Sequence, residues 1–219
     1  MRQRPNLLDG EDLPPEPRQE RSRANRSRLK AAGLALFGKK GYEGASIADI
    51  AREAHLAVGG FYRHFRSKRQ LLLALMDDLL QKLSELNLRP AAMTDVRAGL
   101  HELLSRAFAH DLKYLGAYRA WQEAVISDPD LALKQHEIHT WTTSRVVAVF
   151  QFLHLQPGAR PNVDIVGLAR AMDSLFWSLL AQAAPLPGAE LSRWIEASVH
   201  LIHHAMFVDG KSDESRRIP

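Results

Sequence analysis

Residues 46–71, SIADIAREAHLAVGGFYRHFRSKRQL, constrain the fold of this chain more than any other segment. Ser46 stands at an N-cap position three residues before Asp49, a weaker form of the capping box, whose usual partner is Glu or Gln. Apolar residues then recur at helical spacing, at Ile47, Ile50, Ala51 and Ala54. The pattern predicts a short helix with one apolar face available for packing.

A turn and a second short helix follow directly. His55-Leu56-Ala57 supplies the turn, and a third helix opens at Lys68. Phe61 and Phe65 are four residues apart, so both fall on the buried face of the second helix. The positions left to face outward are Val58, Gly59, Tyr62, Arg63 and His64. This arrangement is a helix-turn-helix, in which the second helix enters the major groove of DNA.

Positive charge is concentrated in the same part of the chain. The formal net charge is +4, but residues 18–69 hold 13 Lys or Arg against 4 acids. Residues 1–17 and 70–219 each have a slightly negative balance. A basic block confined to the helix-turn-helix segment is typical of phosphate binding.

The stretch from Arg28 to Leu72 resembles the DNA-binding domain of the TetR family of transcriptional regulators, with matching spacing through three helices. The resemblance is carried by Leu29, Ala31, Ala32, Leu34, Phe37, Gly41, Tyr42, Ser46, Ile50, Ala51, Ala54, Gly59, Phe61, Tyr62, Arg63, His64, Phe65, Ser67, Lys68, Leu71 and Leu72. The departures are His55 for the usual Gly, Ala57 for the usual Ser or Thr, and Val58 and Gly60 for more polar residues. These positions lie at the groove, so they bear on which DNA sequence is read rather than on the fold.

The candidate DNA-binding residues fall into three groups. Phosphate contacts are expected from Ser46, Tyr62, His64 and Lys68, and Lys68 lies near a helix N-terminus that adds backbone donors. The residues expected near base edges are Val58, Gly59, Gly60 and Arg63. Among these, Arg63 is the best candidate for a guanine contact. Arg21 and Arg23 are expected to reach an adjacent groove.

Helical periodicity continues to the end of the chain, without strand-like alternation or an internal repeat. The predicted helices are residues 18–40, 71–88, 95–115, 118–127, 131–155, 163–184 and 189–208. We therefore predict an all-α protein. An N-terminal three-helix helix-turn-helix domain (18–72) precedes a C-terminal helical ligand-binding and dimerisation domain (73–210). The polar residues 1–17 and 211–219 are predicted to be disordered tails.

The last two predicted helices carry matching apolar stripes. The first stripe is Ile165, Ala169, Met172, Phe176 and Leu180, and the second is Leu191, Ile195, Val199, Ile202 and Met206. A short turn joins the helices, which favours an antiparallel pair. The stripes fit either the core of a monomer or the four-helix dimer interface that the family resemblance implies. We expect a homodimer.

Aromatic residues and a few polar ones share the region between the linker helix and this pair. Arg145 lies within an apolar stripe, and Asp173 stands beside Met172 in a similar setting. An apolar pocket with a few polar anchors is the general form of a small-molecule site, and the resemblance implies an inducer cavity here. The candidate ligand-binding residues are Tyr118, Trp121, His139, Trp141, Arg145, Met172, Asp173, Phe176 and Trp177. The alternative is that the aromatics form core while Arg145 and Asp173 satisfy each other or reach water.

Other functions lack the required residues. The chain has no cysteine, no G-x-S-x-G motif and no phosphate-cradling glycine loop, so we expect no catalysis. The histidines at 136, 139, 200, 203 and 204 lack the acids of a zinc signature, so we expect no metal and no cofactor. No signal peptide and no apolar run of about 18 residues is present. We expect a soluble, cytoplasmic protein without a membrane partner.

The sequence thus favours a dimeric transcriptional repressor that binds a palindromic DNA operator and is released by a small apolar or aromatic effector. The alternative is a DNA-binding regulator whose C-terminal domain only dimerises or docks a protein.

Overall fold

The computed structural model describes residues 2–15, 18–86, 95–182 and 188–208, and helices make up most of these residues. They are α1 Glu20–Gly44, α2 Ile47–Glu53, α3 Val58–Tyr62, α4 Lys68–Glu85, α5 Val96–Asp111, α6 Leu115–Ser127, α7 Pro129–His154, α8 Ile165–Gln182 and α9 Gly188–Met206. A 3₁₀ turn, Leu112–Tyr114, joins α5 to α6. The predicted all-α class is confirmed, since the described residues contain no strand beyond one isolated bridge, Ala159 to Phe207.

The N-terminal domain is built on the side chains that the sequence places inward. Leu29, Phe37, Ile50, Phe61 and Phe65 are all fully buried in its core. α1 kinks at Gly41, where φ is 72° and ψ is −178°. The Glu123 carboxylate of α6 accepts a hydrogen bond of 2.6 Å from the backbone N–H that follows, at Tyr42. The C-terminal domain therefore holds the end of α1 in place.

α4 joins the two domains. Ser67 caps its N-terminus, because its hydroxyl accepts a 3.2 Å hydrogen bond from the Gln70 N–H. Its apolar side chains, from Leu71 to Leu80, are largely buried. At the other end the helix reaches Glu85 among the helices of the C-terminal domain, where α7 packs on α8 and α5 packs on α9. A single rigid element thus runs from the helix-turn-helix into the second domain.

Residues 2–15, which the sequence predicts to be disordered, lie against α4 and α7. Leu7 is fully buried, and its N–H donates to Asp77 at 3.1 Å. Arg69 pairs with both Glu11 at 2.6 Å and Asp128 at 2.7 Å. The segment therefore connects the two domains through long-range polar contacts. The predicted tail at 211–219 lies outside the described residues.

None of the helices in the described ranges combines the length and the apolar character that spanning a bilayer requires.

Candidate nucleic-acid interface and ligand cavity

The turn between α2 and α3 is closed by backbone hydrogen bonds. Ser46 caps α2, and its hydroxyl accepts a 3.0 Å bond from the Asp49 N–H. At the other end the Leu56 N–H donates to Ala51 at 2.8 Å, and the His55 N–H donates to Arg52 at 3.0 Å. These two bonds form a Schellman motif, which requires a left-handed residue after the C-cap. His55 takes that conformation, with φ of 54°.

α3 separates an inward face from an outward one, as the sequence predicts. Phe61 and Phe65 are buried and pack against each other with ring centroids 5.9 Å apart. Val58 is 43% exposed and Tyr62 is 51% exposed. Their predicted neighbours on this face, Gly59 and Arg63, are exposed as well. We call Val58, Gly59, Tyr62 and Arg63 the outward face of α3.

Gly60, which was expected near base edges, and His64, which was expected to face outward, do not lie on this face. Gly60 is buried, and a Cβ atom there would lie 3.3 Å from the Leu56 Cβ, so this glycine packs against the turn. His64 is only 5% exposed. Burial, aided by the positive charges of Arg26 and Arg63, lowers the pKa of the His64 imidazole, which favours its neutral form.

The remaining candidate contacts surround this face. Lys68 is partly buried; its Nζ donates to the Tyr42 carbonyl at 2.5 Å and lies 4.3 Å above the centre of the Tyr42 ring. Ser46 is exposed at the start of α2. Arg21 and Arg23 are exposed at the N-terminal end of α1. Further along α1, Arg26 donates from Nη1 to the His64 carbonyl at 3.5 Å, so this part of α1 lies beside the end of α3.

The C-terminal domain encloses an apolar cavity of about 130 Å³ at the end of α4. Its lining comes from α4 to α9 and consists of Leu83, Leu100, Leu103, Leu104, Ala107, Asp111, Tyr118, Thr142, Arg145, Val146, Val149, Phe150, Met172, Asp173, Phe176, Trp177 and Ile202. Six of the predicted ligand-binding residues are among them: Tyr118, Arg145, Met172, Asp173, Phe176 and Trp177. The cavity thus lies in the predicted region.

Three predicted ligand-binding residues do not line this cavity. Trp121 is fully buried and its indole N–H donates to Gln135. Trp141 is core, stacked under the Arg145 guanidinium at 5.1 Å. His139 lines a separate, open groove between α7 and α8, and it contacts two residues of the cavity wall, Asp173 at 3.5 Å and the Trp177 ring at 5.0 Å between ring centroids. Helical periodicity predicts that these residues are at least partly buried, but it does not predict which buried residues border a cavity.

The two acidic side chains in the cavity wall, Asp173 and Asp111, form hydrogen bonds with neighbouring side chains. Asp173 Oδ2 accepts from the hydroxyls of Thr142 at 3.1 Å and Thr143 at 3.0 Å. Asp111 is fully buried, with its Oδ1 2.6 Å from His110 Nδ1. Burial raises the pKa of the Asp111 carboxyl, while the His110 contact opposes that shift. Burial also raises the pKa of the Tyr118 hydroxyl, which therefore stays protonated.

Arg145 is the basic group of the wall. Its Nη2 donates to the carbonyls of Leu83 at 2.9 Å and Leu86 at 3.1 Å, at the C-terminus of α4. Its Nε is buried and has no hydrogen-bond partner among the described residues. Desolvation lowers the pKa of this guanidinium. Arg145 and Asp173 therefore do not satisfy each other, which was one of the two possibilities in the alternative that the sequence left open.

Sequence reasoning missed the wall that α5 supplies. Leu100, Leu103, Leu104 and Ala107 recur at helical spacing, so a scan for inward-facing positions of this helix would have found them. Asp111 carried no such signal, because an acid at a helix end is usually solvated. No group of three or more His, Asp or Glu in the described ranges is arranged to hold a metal.

Comparisons with known proteins agree with this geometry. Residues 29–75 match the family model described as bacterial regulatory proteins, tetR family. The Transposon Tn10 TetC protein of Escherichia coli is 34% identical over 97 residues, which are 44% of this chain and 47% of that protein. The chain thus spans about half the length of that curated relative.

Solved structures share the fold over most of the chain. A TetR-family transcriptional regulator from Mesorhizobium loti is 23% identical, with a TM-score of 0.60, over 87% of this chain and 100% of that one. A tetR-family regulatory protein from Rhodococcus RHA1 is 19% identical, with a TM-score of 0.63, over 84% and 98% respectively. At these identities the likeness shows the fold alone.

Proposed function

We propose that this chain, which belongs to the TetR family of bacterial transcriptional regulators, is a cytoplasmic repressor that binds a double-stranded DNA operator as a homodimer. A small apolar or aromatic effector then releases it from DNA. Proteins of the family are DNA-binding regulators and not enzymes, in line with the expectation from the sequence.

The cavity at the C-terminal end of α4 is the observation that carries this proposal. Leu83 of α4 is part of its wall, and the same helix begins at Lys68, beside the outward face of α3. A helix of 18 residues is about 27 Å long, so α4 spans the distance between the two sites. A ligand that fits the cavity better when α4 is displaced would change the position of α3.

The outward face of α3 supports the DNA-binding half of the proposal. Val58 and Tyr62 are half-exposed although both have apolar surface, and Arg63 stands beside them. Apolar contact with thymine methyl groups and bidentate Arg contact with guanine are the two kinds of base reading that such a set permits. The basic residues around this face would hold phosphates.

The experiment compares two leucine substitutions on α5. Ala107 lines the cavity, whereas Ala109 on the same helix is exposed, so Ala107→Leu fills the cavity and Ala109→Leu is its matched control. An operator selected from random duplexes and a panel of one-ring compounds supply the ligands. Fluorescence anisotropy reports operator release, and Trp177 in the cavity wall reports binding by quenching.

Coupling of about 1–3 kcal/mol is typical, so operator affinity should fall roughly 5- to 150-fold when the wild type is saturated with effector. Ala107→Leu should keep operator binding and lose this response, while Ala109→Leu keeps both. An equal response in wild type and Ala107→Leu would place the effector elsewhere. A broad panel that produces neither quenching nor a thermal shift would favour a C-terminal domain that only dimerises or docks a protein.

A further inference from the structure

Arg145 gives the cavity a buried positive charge without a counter-ion. The side chain is 5% exposed, and no carboxylate in the described part of the chain forms an ion pair with it. We propose that the effector is a small organic carboxylate whose anionic group binds the guanidinium of Arg145 while its apolar part fills the cavity. This inference rests on the proposed function and names the chemical class of its ligand.

The two carboxyl groups in the cavity wall, Asp111 and Asp173, do not pair with Arg145 and do not require a cationic ligand. Asp173 already accepts two hydroxyl hydrogen bonds, from Thr142 and Thr143. Asp111 contacts His110 at 2.6 Å through Oδ1, and its buried Oδ2 has no hydrogen-bond partner among the described residues. Burial raises the pKa of this carboxyl, which favours its neutral, protonated form. A buried charge that lacks a partner is costly, and a bound anion compensates it through short charge-assisted hydrogen bonds. Of the charged groups in the wall, the guanidinium is therefore the one that a ligand neutralises.

The volume of the cavity limits the size of the acid. At about 130 Å³ it is close to the roughly 150 Å³ of an engineered protein cavity that accepts benzene. Leu100, Leu103, Met172 and Phe176 supply apolar surface around it. One aromatic ring, or a branched chain of similar bulk, with a short acidic arm meets these limits.

The same guanidinium connects the ligand to α4. Nη2 donates to the Leu83 and Leu86 carbonyls, and the partnerless Nε lies beside Nη2 on the guanidinium plane. A bidentate carboxylate takes two neighbouring N–H groups, so an anion on Nε also draws on Nη2. It would then displace a carbonyl at the C-terminus of α4. Binding of the anion would therefore break a hydrogen bond that holds the C-terminus of α4.

The test uses three ligands of nearly equal shape and different charge. Phenylacetate, phenylacetamide and phenethylamine are titrated into the full-length protein by calorimetry, with no mutation needed. We expect phenylacetate to bind at least tenfold more tightly than the other two. Equal binding of the amide, tighter binding of the amine, or no binding by any of the three overturns the inference.

A pair of variants places the charge effect at Arg145. Arg145→Met should reduce the preference for phenylacetate over phenylacetamide at least tenfold, while Arg106→Met, on the exposed side of α5, should leave it unchanged. A preference that survives Arg145→Met in folded protein also overturns the inference. Neutral one-ring compounds that bind and release DNA would uphold the proposed function while excluding the anionic effector, so the two failures are distinguishable.

Discussion

His55 stores strain in the turn of the helix-turn-helix. A left-handed backbone costs a residue other than glycine roughly 1–2 kcal/mol, and the glycine that relieves it loses about 0.5–1 kcal/mol through the entropy of the unfolded chain. His55 is exposed and has φ of 54°. We therefore expect His55→Gly to raise the free energy of unfolding by about 0.5–1 kcal/mol, measured by urea denaturation. The free energy of unfolding of His55→Asn should lie between those of the wild type and His55→Gly. A His55→Gly protein less stable than the wild type would contradict this account.

DNA affinity should divide between residues that read bases and residues that hold phosphates. Arg63→Ala should cost about 1–3 kcal/mol on the operator and much less on random DNA. Tyr62→Phe and Lys68→Ala should weaken binding to both duplexes alike, and Lys68→Ala should reduce the salt slope by about one phosphate contact. Anisotropy titrations at several salt concentrations measure these effects, with Arg106→Ala as a control away from the DNA-binding face. If Tyr62→Phe and Lys68→Ala both bind DNA as tightly as the wild type, these two residues do not contact phosphates.

The sequence predicts only some of the side-chain directions in and just after the short helix α3. Phe61 and Phe65 were expected inside, and both are fully buried. Gly60 was expected near base edges and His64 on the outward face, and both are buried, because a helix of five residues is too short for spacing alone to define its faces. Gly60 packs against Leu56. Trp141 is inside but not at the cavity, since the location of empty space depends on how distant helices cross.

At the scale of elements, the crossing of α1 and α6 fixes the two domains against each other. A Cβ atom at Gly116 would overlap the Leu34 carbonyl oxygen and lie 2.9 Å from the Gly38 N, and neither backbone atom can rotate away. Gly116→Ala should therefore lower the free energy of unfolding by about 1–3 kcal/mol, measured by chemical denaturation. Gly59→Ala, with open space around its Cβ, should not destabilise the fold. Equal stability of the two variants would mean that the helices separate without cost.

Helix ends followed the sequence where a capping residue marks them. The predicted helices 118–127 and 131–155 leave a break between them, and in the structure Asp128 lies in this break and caps α7, with Pro129 in the first turn. The contacts of residues 2–15 could not be foreseen, since they depend on pairs such as Arg4 and Asp77 that are far apart in sequence. Local periodicity carries no information about such pairs. A polar segment without helical spacing is therefore predicted to be disordered.

At the scale of the whole molecule, the subunit interface must use surface that the chain does not bury itself. Val199, Ile202 and Met206 of the predicted stripe are buried within the chain, where α9 packs on α5. These residues therefore belong to the core of the monomer, which was one of the two readings of the stripes. On the opposite face of α9 Leu201 is 51% exposed, and Val166 is exposed on α8. We propose that these outer faces form the dimer interface.

Leu201→Glu should therefore dissociate the dimer without unfolding the subunit, because it buries an unpaired carboxylate only in the interface. Leu133→Glu, on an exposed position of α7, is the matched control and should remain dimeric. Sedimentation measures the association state, and circular dichroism checks that helix content is unchanged. Two recognition helices must enter successive major grooves about 34–36 Å apart, so loss of the dimer should also abolish tight binding to a palindromic operator. A folded, dimeric Leu201→Glu protein would show that the interface lies on another face.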